Sequence, residues 1–280
     1  MSVDFSAGLN PDVPNAARIY DYFLGGKNNF PVDRETAERF LSIVPEAKKS
    51  VLANRAFLLR VVKELAADGA DQFLDIGAGL LNQENVHDIA QAVNPEARVV
   101  YVDYDPSVVA HGRALLQGRP RVGFATGDVR KPEDILRAPE VTELIDFSRP
   151  VAVLMVALLH FLPDDEDPAG AVAAIRRRLA PGSQLALTHV CHDDANLSRL
   201  QQGASLYDNA SAPFIFRSES DIAAFFEGFE LLEPGLVEIS RWRPSSPAYD
   251  DAPAAPAQGT PGTSGKTLVL GGVGRVPLPR

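Results

Sequence analysis

"LDIGAGLLNQENVH", Leu74 to His87, decides the fold. A short apolar run ends in an aspartate and two glycines, a polar bend follows, and "NVHDIAQAV" then reads as a helix. This is the pattern of a buried strand feeding a helix through a tight turn, the first unit of a parallel α/β sheet. Gly77 and Gly79 allow the turn and close approach of a ligand to the backbone. A Gly-x-Gly bend alone also occurs in ordinary turns, so the reading rests on what surrounds it.

Beyond the bend the chain repeats the same alternation. "ARVVYVDYD" is a second strand ending in acids, and Pro106 opens the helix "PSVVAHGRALL". "RVGFATGDV" is a third strand. "PVAVLMVALLHFL" is a fourth, apolar enough to be buried on both faces, and "SQLALTHV" is a fifth. Near-continuous apolar strands separated by helices indicate a doubly wound, mostly parallel sheet of Rossmann-like type. The end of the chain differs. "GLVEISRW" and "KTLVLGGVG" have no helix between them, so an antiparallel C-terminal hairpin at the sheet edge is expected. The Pro-, Ala-, Ser- and Gly-rich linker between them, 243–265, reads as a mobile loop.

Ahead of the first strand, residues 1–15 look loose and helical patterns follow. One helix starts near Asn15 and stops at Gly25-Gly26, where glycine accepts the left-handed conformation. Asp33 is the expected N-cap of "RETAERFLSIV", Pro45 breaks that helix, and the next runs to about Ala67. The division expected is an N-terminal helical lid, 1–68, on a ligand-binding domain, 69–280.

Composition narrows the function. Of 280 residues, 27 are Lys or Arg and 37 are Asp or Glu, a net charge of −10. An acidic surface does not suit a nucleic-acid backbone, so no nucleic-acid partner is expected. The single cysteine, Cys191, cannot form an internal disulfide. The N-terminus lacks the pattern of a signal peptide, and no window has the apolar length a bilayer requires. A cytoplasmic protein without a membrane partner is expected.

The residues around the bend say which ligand it suits. A dinucleotide fingerprint wants Gly or Ala at its third position, where Asn82 stands. Glu84 at the helix start opposes a pyrophosphate. Asp75 sits at the tip of the first strand, Asp103 ends the second 28 residues later, and Asp128 ends the third. Each acid alone could be a turn or capping residue. Together they fall on successive strand tips, where open α/β sheets bind ligands. Asp103 can accept the ribose hydroxyls, Asp128 the adenine amino group, and the Val129 backbone can meet a ring nitrogen. S-adenosylmethionine carries a sulfonium, an ammonium and no phosphate, so these features favour it over NAD.

At this point the chain resembles the class I S-adenosylmethionine-dependent methyltransferases. More narrowly, it resembles an actinobacterial S-adenosyl methyltransferase family formerly catalogued as a domain of unknown function. The likeness rests on "ARIYDYFLGGKNNF", "FLDIGAGL", "NVHDIAQ", "ARVVYVDYDP", "HFLPD", "EPGLVEISRWRP" and "GGVGR". It implies a seven-stranded sheet whose last strand is inserted antiparallel, a methyltransferase activity, and S-adenosylmethionine as cofactor. Tyr104 and Ala157 join the expected cofactor contacts. The chain departs from the family at Ala78, Leu81, Asn82 and Tyr104.

Methyl transfer is a displacement at an already activated carbon, so the protein mainly aligns the partners and excludes water. His160, after the fourth strand, could accept a proton from the acceptor near pH 7. A structural histidine capping the strand end is an equal alternative. His189, Cys191 and His192 suggest a metal cluster, but strand alternation splits them between two faces. Arg18 could hold the methionine carboxylate, and Tyr20 could contact cofactor or acceptor as a lid residue. Asp21 and Tyr22 share that lid, and Asn28 and Asn29 could offer amide contacts. The competing reading is an amphipathic helix whose tyrosines pad the core. The function expected is methyl transfer from S-adenosylmethionine to a small-molecule acceptor. A non-catalytic S-adenosylmethionine-binding regulator and an NAD-linked oxidoreductase are the alternatives.

Overall fold

All five residues of β1 (Gln72–Ile76) are buried, and their side chains alternate between two hydrophobic layers. Leu74 and Ile76 pack on one face of the sheet and Phe73 on the other, as strand geometry requires. The structure is a computed structural model and describes residues 10–81, 84–193, 195–244 and 268–279. Asn82 and residues 245–265 of the expected loop lie outside the described residues.

β1 leads through the glycine bend into α4 (Val86–Val93), and β2 (Arg98–Asp103) follows. Then come α5 (Pro106–Leu116), β3 (Val122–Thr126) and two short helices, α6 (Pro132–Arg137) and α7 (Pro139–Thr142). β4 (Ala152–Met155) precedes α8 (Pro168–Arg176) and β5 (Gln184–Cys191). Strands β1 to β5 are parallel. After α9 (Leu197–Ala204) and α10 (Glu219–Ala224) come the two-residue strands β6 (Glu230–Leu231) and β7 (Val237–Glu238), then β8 (Leu268–Arg275). The sheet order is 3-2-1-4-5-8-6, with β7 also paired to β8. No helix among the described residues is long and apolar enough to cross a membrane.

The C-terminal strands are antiparallel, and β7 pairs with β8 at this end of the sheet, as expected of the C-terminal hairpin and its inserted last strand. β8 lies inside the sheet, paired along its whole length with β5 and flanked on its other side by β6 and β7. "GLVEISRW" contributes only two strand residues before a 3-10 turn at Ile239–Arg241. That turn buries Trp242 against Phe57, with ring centroids 5.7 Å apart, and Arg60 binds the carbonyls of Ile239 and Trp242.

The sheet carries helices on both faces. Phe57, Val61 and Leu65 of α3 (Ala47–Ala67) pack with Phe73, Val99 and Leu154. Ile135, Val172 and Ile175 cover the opposite face. A third, smaller cluster joins Ile19 and Phe23 of α1 (Ala16–Phe23) to Phe40 of α2 (Pro31–Ile43) and to Leu200 and Tyr207. The first two helices thus share their core with α9 and the turn after it.

Asp33 is not the N-cap of α2. The helix begins two residues earlier at Pro31, whose fixed φ suits a first helical position. Asp33 is the third helical residue and accepts from the Phe30 and Asn15 amides, each at 2.8 Å. Gly25 ends α1 at φ +79°, and the Gly26 and Gly25 amides bind the carbonyls of Asp21 and Tyr22. A β-carbon on Gly26 would stand 2.1 Å from Asp21 Oδ1. The Gly26→Ala variant is therefore expected to lose about 2 kcal/mol, a fall in melting temperature of roughly 4–8 °C. An unchanged calorimetric melting temperature would show that the turn can reshape at no cost.

Candidate functional site

A cavity of about 170 Å³ lies over the C-terminal ends of β1 to β4, roofed by α1 and by the Ser211–Pro213 segment. Alternation along β1 turns Asp75 toward the α3 side, where Arg55 faces it. Asp75 is 6% exposed. Burial pushes its carboxyl up to about 7; Arg55 opposes the shift and Asp103 adds to it. Asp103, at the end of β2, accepts from the Gly79 amide at 2.9 Å and the Asp105 amide at 3.0 Å. Burial raises it to about 6 despite those bonds. Two carboxyls thus share a poorly hydrated wall with one guanidinium facing them.

The glycines of the bend differ in purpose. Both have positive φ, +77° at Gly77 and +62° at Gly79. A β-carbon on Gly77 would strike the Leu158 side chain at 2.5 Å, whereas one on Gly79 would meet nothing within 4 Å. Gly77 serves packing, and Gly79 leaves its side open. Ala157, at the end of β4, also holds a positive φ of +57°. For a residue with a β-carbon this conformation is strained and persists only where surrounding contacts hold it.

Past β3, Asp128 is claimed by Arg130. Its carboxylate accepts from the Arg130 amide at 3.0 Å and from Nε at 2.9 Å. Burial alone would raise Asp128, but Arg130 outweighs it and holds the carboxyl below its ordinary range. Arg130 also binds Glu166 at 3.0 Å, and its guanidinium lies 5.6 Å from the Tyr104 ring centroid. Val129 is buried beside them on the cavity wall.

The roof is tied down by contacts distant in sequence. Asn15 caps α1 through the Arg18 amide and donates to Asp105 at 2.6 Å, latching the helix to the tip of β2. Tyr20 lines the cavity, and its hydroxyl accepts from Asn54 at 2.9 Å. Asn54 accepts from Thr188 at 2.7 Å, and Thr188 accepts from the Ala157 amide at 2.9 Å. One relay therefore links the roof, α3, β5 and the strained end of β4. Asp21 is 1% exposed; its Oδ2 accepts from Asn28 and Asn29, while Oδ1 has no partner among the described residues.

Several roof residues stand elsewhere than expected. Arg18 does not line the cavity. Its guanidinium binds Asp33 at 2.6 Å and the carbonyls of Val13 and Asn10, because the buried Asp33 carboxylate needs a partner. Arg55 is the cavity-lining arginine on this side, and its guanidinium also reaches the Glu84 carbonyl. Tyr22 points outward and binds Glu38. Asn28 and Asn29 hold Asp21 and do not line the cavity. The remaining expected cofactor positions all line it.

His160 is 5% exposed and lines a second cavity of about 70 Å³. This chamber adjoins the first through Tyr20, Asn54, Ala157 and Phe161, which line both. Burial, with His189 and Arg217 beside it, keeps the His160 ring well below its ordinary range and hence neutral. His189 contacts the Val190 carbonyl at 2.9 Å and the Arg217 guanidinium at 2.8 Å. Among the described residues no group of three metal-ligating side chains converges. On the helices, His87 bonds the Tyr101 hydroxyl at 2.7 Å and His111 the Leu81 carbonyl at 3.3 Å.

The family described as S-adenosyl methyltransferase matches residues 4–277. The chain belongs to this family. A Thermobifida fusca protein provisionally assigned as a methyltransferase is 42% identical. The match covers 99% of this chain and 100% of that one, with a TM-score of 0.86. A DUF574-family protein from Streptomyces avermitilis is 35% identical over 96% of this chain and 100% of its own, also with a TM-score of 0.86. No curated protein matches. Membership in the S-adenosyl methyltransferase family implies S-adenosylmethionine as cofactor and some methyl acceptor.

Proposed function

We propose that the protein methylates a small molecule with S-adenosylmethionine held in the larger cavity. The observation that carries this reading is the pair of buried carboxyls, Asp75 and Asp103, beside the open side of Gly79. Such a wall attracts a cation and repels a pyrophosphate, whose usual seat is an uncharged glycine turn at a helix N-terminus.

Bound there, S-adenosylmethionine supplies a methyl carbon activated by its positive sulfur. Asp103 accepts the ribose hydroxyls while keeping the Gly79 and Asp105 amides. Arg55, in the role first expected of Arg18, offers its guanidinium to the methionine carboxylate beside Asp75. Tyr104, Asp128 and Val129 form the adenine end. Burial keeps the Tyr20 hydroxyl protonated, so Tyr20 acts as a neutral wall between cofactor and acceptor. Ala157 and Gly77 shape the floor, and the roof excludes water from the reacting centre.

Calorimetric titration with S-adenosylhomocysteine and with NAD tests the reading. Micromolar binding of the first and none of the second is expected, and preferential NAD binding would overturn it. Arg55→Met is expected to weaken S-adenosylhomocysteine about tenfold to a hundredfold, the worth of one charge-assisted pair. Label appearing on a small-molecule product from labelled cofactor separates the enzyme from a non-catalytic binding protein.

A further inference from the structure

The second cavity differs from the first in chemistry. No acidic side chain, lysine or arginine lines it among the described residues. Its walls are aromatic: Phe23, Phe40, Phe161, Tyr207, Phe214 and Phe216. The rings are already arranged edge to face and offset, with centroids 5.0 Å apart for Tyr207–Phe214 and 6.0 Å for Phe40–Phe214. A further flat ring fits such a box through the same ring–ring geometry. The volume is several times what one water requires, and the lining is too apolar to hold water well.

Of the polar side chains in the lining, among them Tyr20, Ser50, Asn54 and Tyr207, His160 is the one with an unpartnered buried atom among the described residues. His160 packs against Phe161 at 4.6 Å and Phe214 at 4.9 Å between ring centroids. Its Nδ1 is buried with no hydrogen-bond partner among the described residues. A buried polar atom left unpaired costs about 1–3 kcal/mol, which a hydroxyl donor on a bound molecule would recover. A neutral imidazole can accept a hydrogen bond from a hydroxyl. A charged ligand would find no counter-charge in the chamber and would lose its hydration.

We propose that this chamber binds the methyl acceptor, and that the acceptor is an uncharged planar aromatic molecule whose ring hydroxyl donates a hydrogen bond to His160. The assignment rests on the methyl-donor reading of the larger cavity. The two chambers meet at Tyr20 and Ala157, so a ring seated against Phe161 and Phe214 borders the cofactor cavity. The apolar walls set the class of ring, and His160 selects for the hydroxyl.

The test uses phenol and its isostere toluene on the full-length protein. Dissociation constants are measured by ligand-observed NMR, with and without S-adenosylhomocysteine. Phenol is expected to bind, and Ala47→Phe, which fills the chamber from α3, is expected to abolish binding of both probes. His160→Phe keeps the ring but removes the acceptor atom. It is expected to shift the ratio of phenol to toluene affinity at least tenfold toward toluene. Calorimetric binding of S-adenosylhomocysteine should persist in both variants, which shows that they are folded. Phenol failing to bind a protein that binds S-adenosylhomocysteine, an unshifted ratio in His160→Phe, or full phenol binding in Ala47→Phe each overturns the proposal. Loss of S-adenosylhomocysteine binding in the natural protein defeats the donor reading instead, and the phenol titration without it still decides what the chamber accepts.

Discussion

The Asp75→Asn variant is expected to melt at a higher temperature than the natural protein at pH 8, while binding S-adenosylmethionine roughly a hundredfold more weakly. The two effects have one cause. Burial raises the Asp75 carboxyl from 3.8 to about 7, so at pH 8 the fold holds a charge it would shed if it could. Forcing that ionisation costs up to about 4 kcal/mol, and the amide removes the cost. After allowance for the hydrogen bonds an amide needs, the gain is expected to be a few degrees. The same charge is what a cationic ligand answers. A site optimised for ligand is thus destabilised without it.

The sign with pH follows from linkage. Between about pH 4 and pH 7 the native state binds more protons at Asp75 than the unfolded chain does. The ligand-free natural protein therefore loses stability from this group as pH rises through 7. The advantage of Asp75→Asn should be present at pH 8 and absent near pH 4. Asp103, raised to about 6, acts in the same direction at slightly lower pH. Cofactor affinity runs the other way, because the ligand favours both carboxylates. It is expected to fall about tenfold between pH 7.5 and pH 6 in the natural protein, with a flatter profile in Asp75→Asn. Calorimetry at four pH values reads both trends. A variant that is less stable at pH 8, or that binds as tightly as the natural protein, would remove Asp75 from the argument.

The strand tips were legible in the sequence because a parallel sheet places them by local pattern. Each apolar run ends where its polar residue begins, and the fold lines those ends up on one edge. Asp75, Asp103 and Asp128 needed no knowledge of what packs above them. The roof was not legible in this way. Asn15 meets Asp105 across 90 positions, and Thr188 meets Asn54 across 134. No periodicity links such pairs. Arg18 and Arg55 both lie in helices ahead of the first strand, and the buried Asp33 turns the first arginine away from the cavity. The Ser205–Phe216 stretch supplies much of the aromatic chamber, yet beyond a 3-10 turn at Ser205–Tyr207 it belongs to no helix or strand. Its "PFIF" motif is apolar without a period, which gave no sign that Phe214 and Phe216 turn inward.

The Thr188→Val variant is expected to lose roughly 2–4 kcal/mol, a fall of about 5–10 °C in melting temperature, though the two side chains have nearly the same shape. Thr188 is fully buried and serves two partners at once. It accepts from the Ala157 amide at 2.9 Å and donates to Asn54 at 2.7 Å. Valine fills the space and leaves both groups unpaired, each at about 1–3 kcal/mol. The functional loss should exceed what the stability change explains. Ala157 holds its strained φ of +57° against the Thr188 hydroxyl, and Asn54 fixes the Tyr20 hydroxyl from the other end. Without the hydroxyl, the floor at Ala157 and the wall at Tyr20 loosen together, and those residues separate the two chambers. S-adenosylhomocysteine affinity is therefore expected to fall about tenfold in Thr188→Val under conditions where it remains folded. Thr188→Ser keeps the hydroxyl and loses only a methyl group, at about 1 kcal/mol, so it should bind the cofactor as the natural protein does. If serine and valine weaken binding equally, packing at β5 rather than the hydrogen-bond relay positions Tyr20.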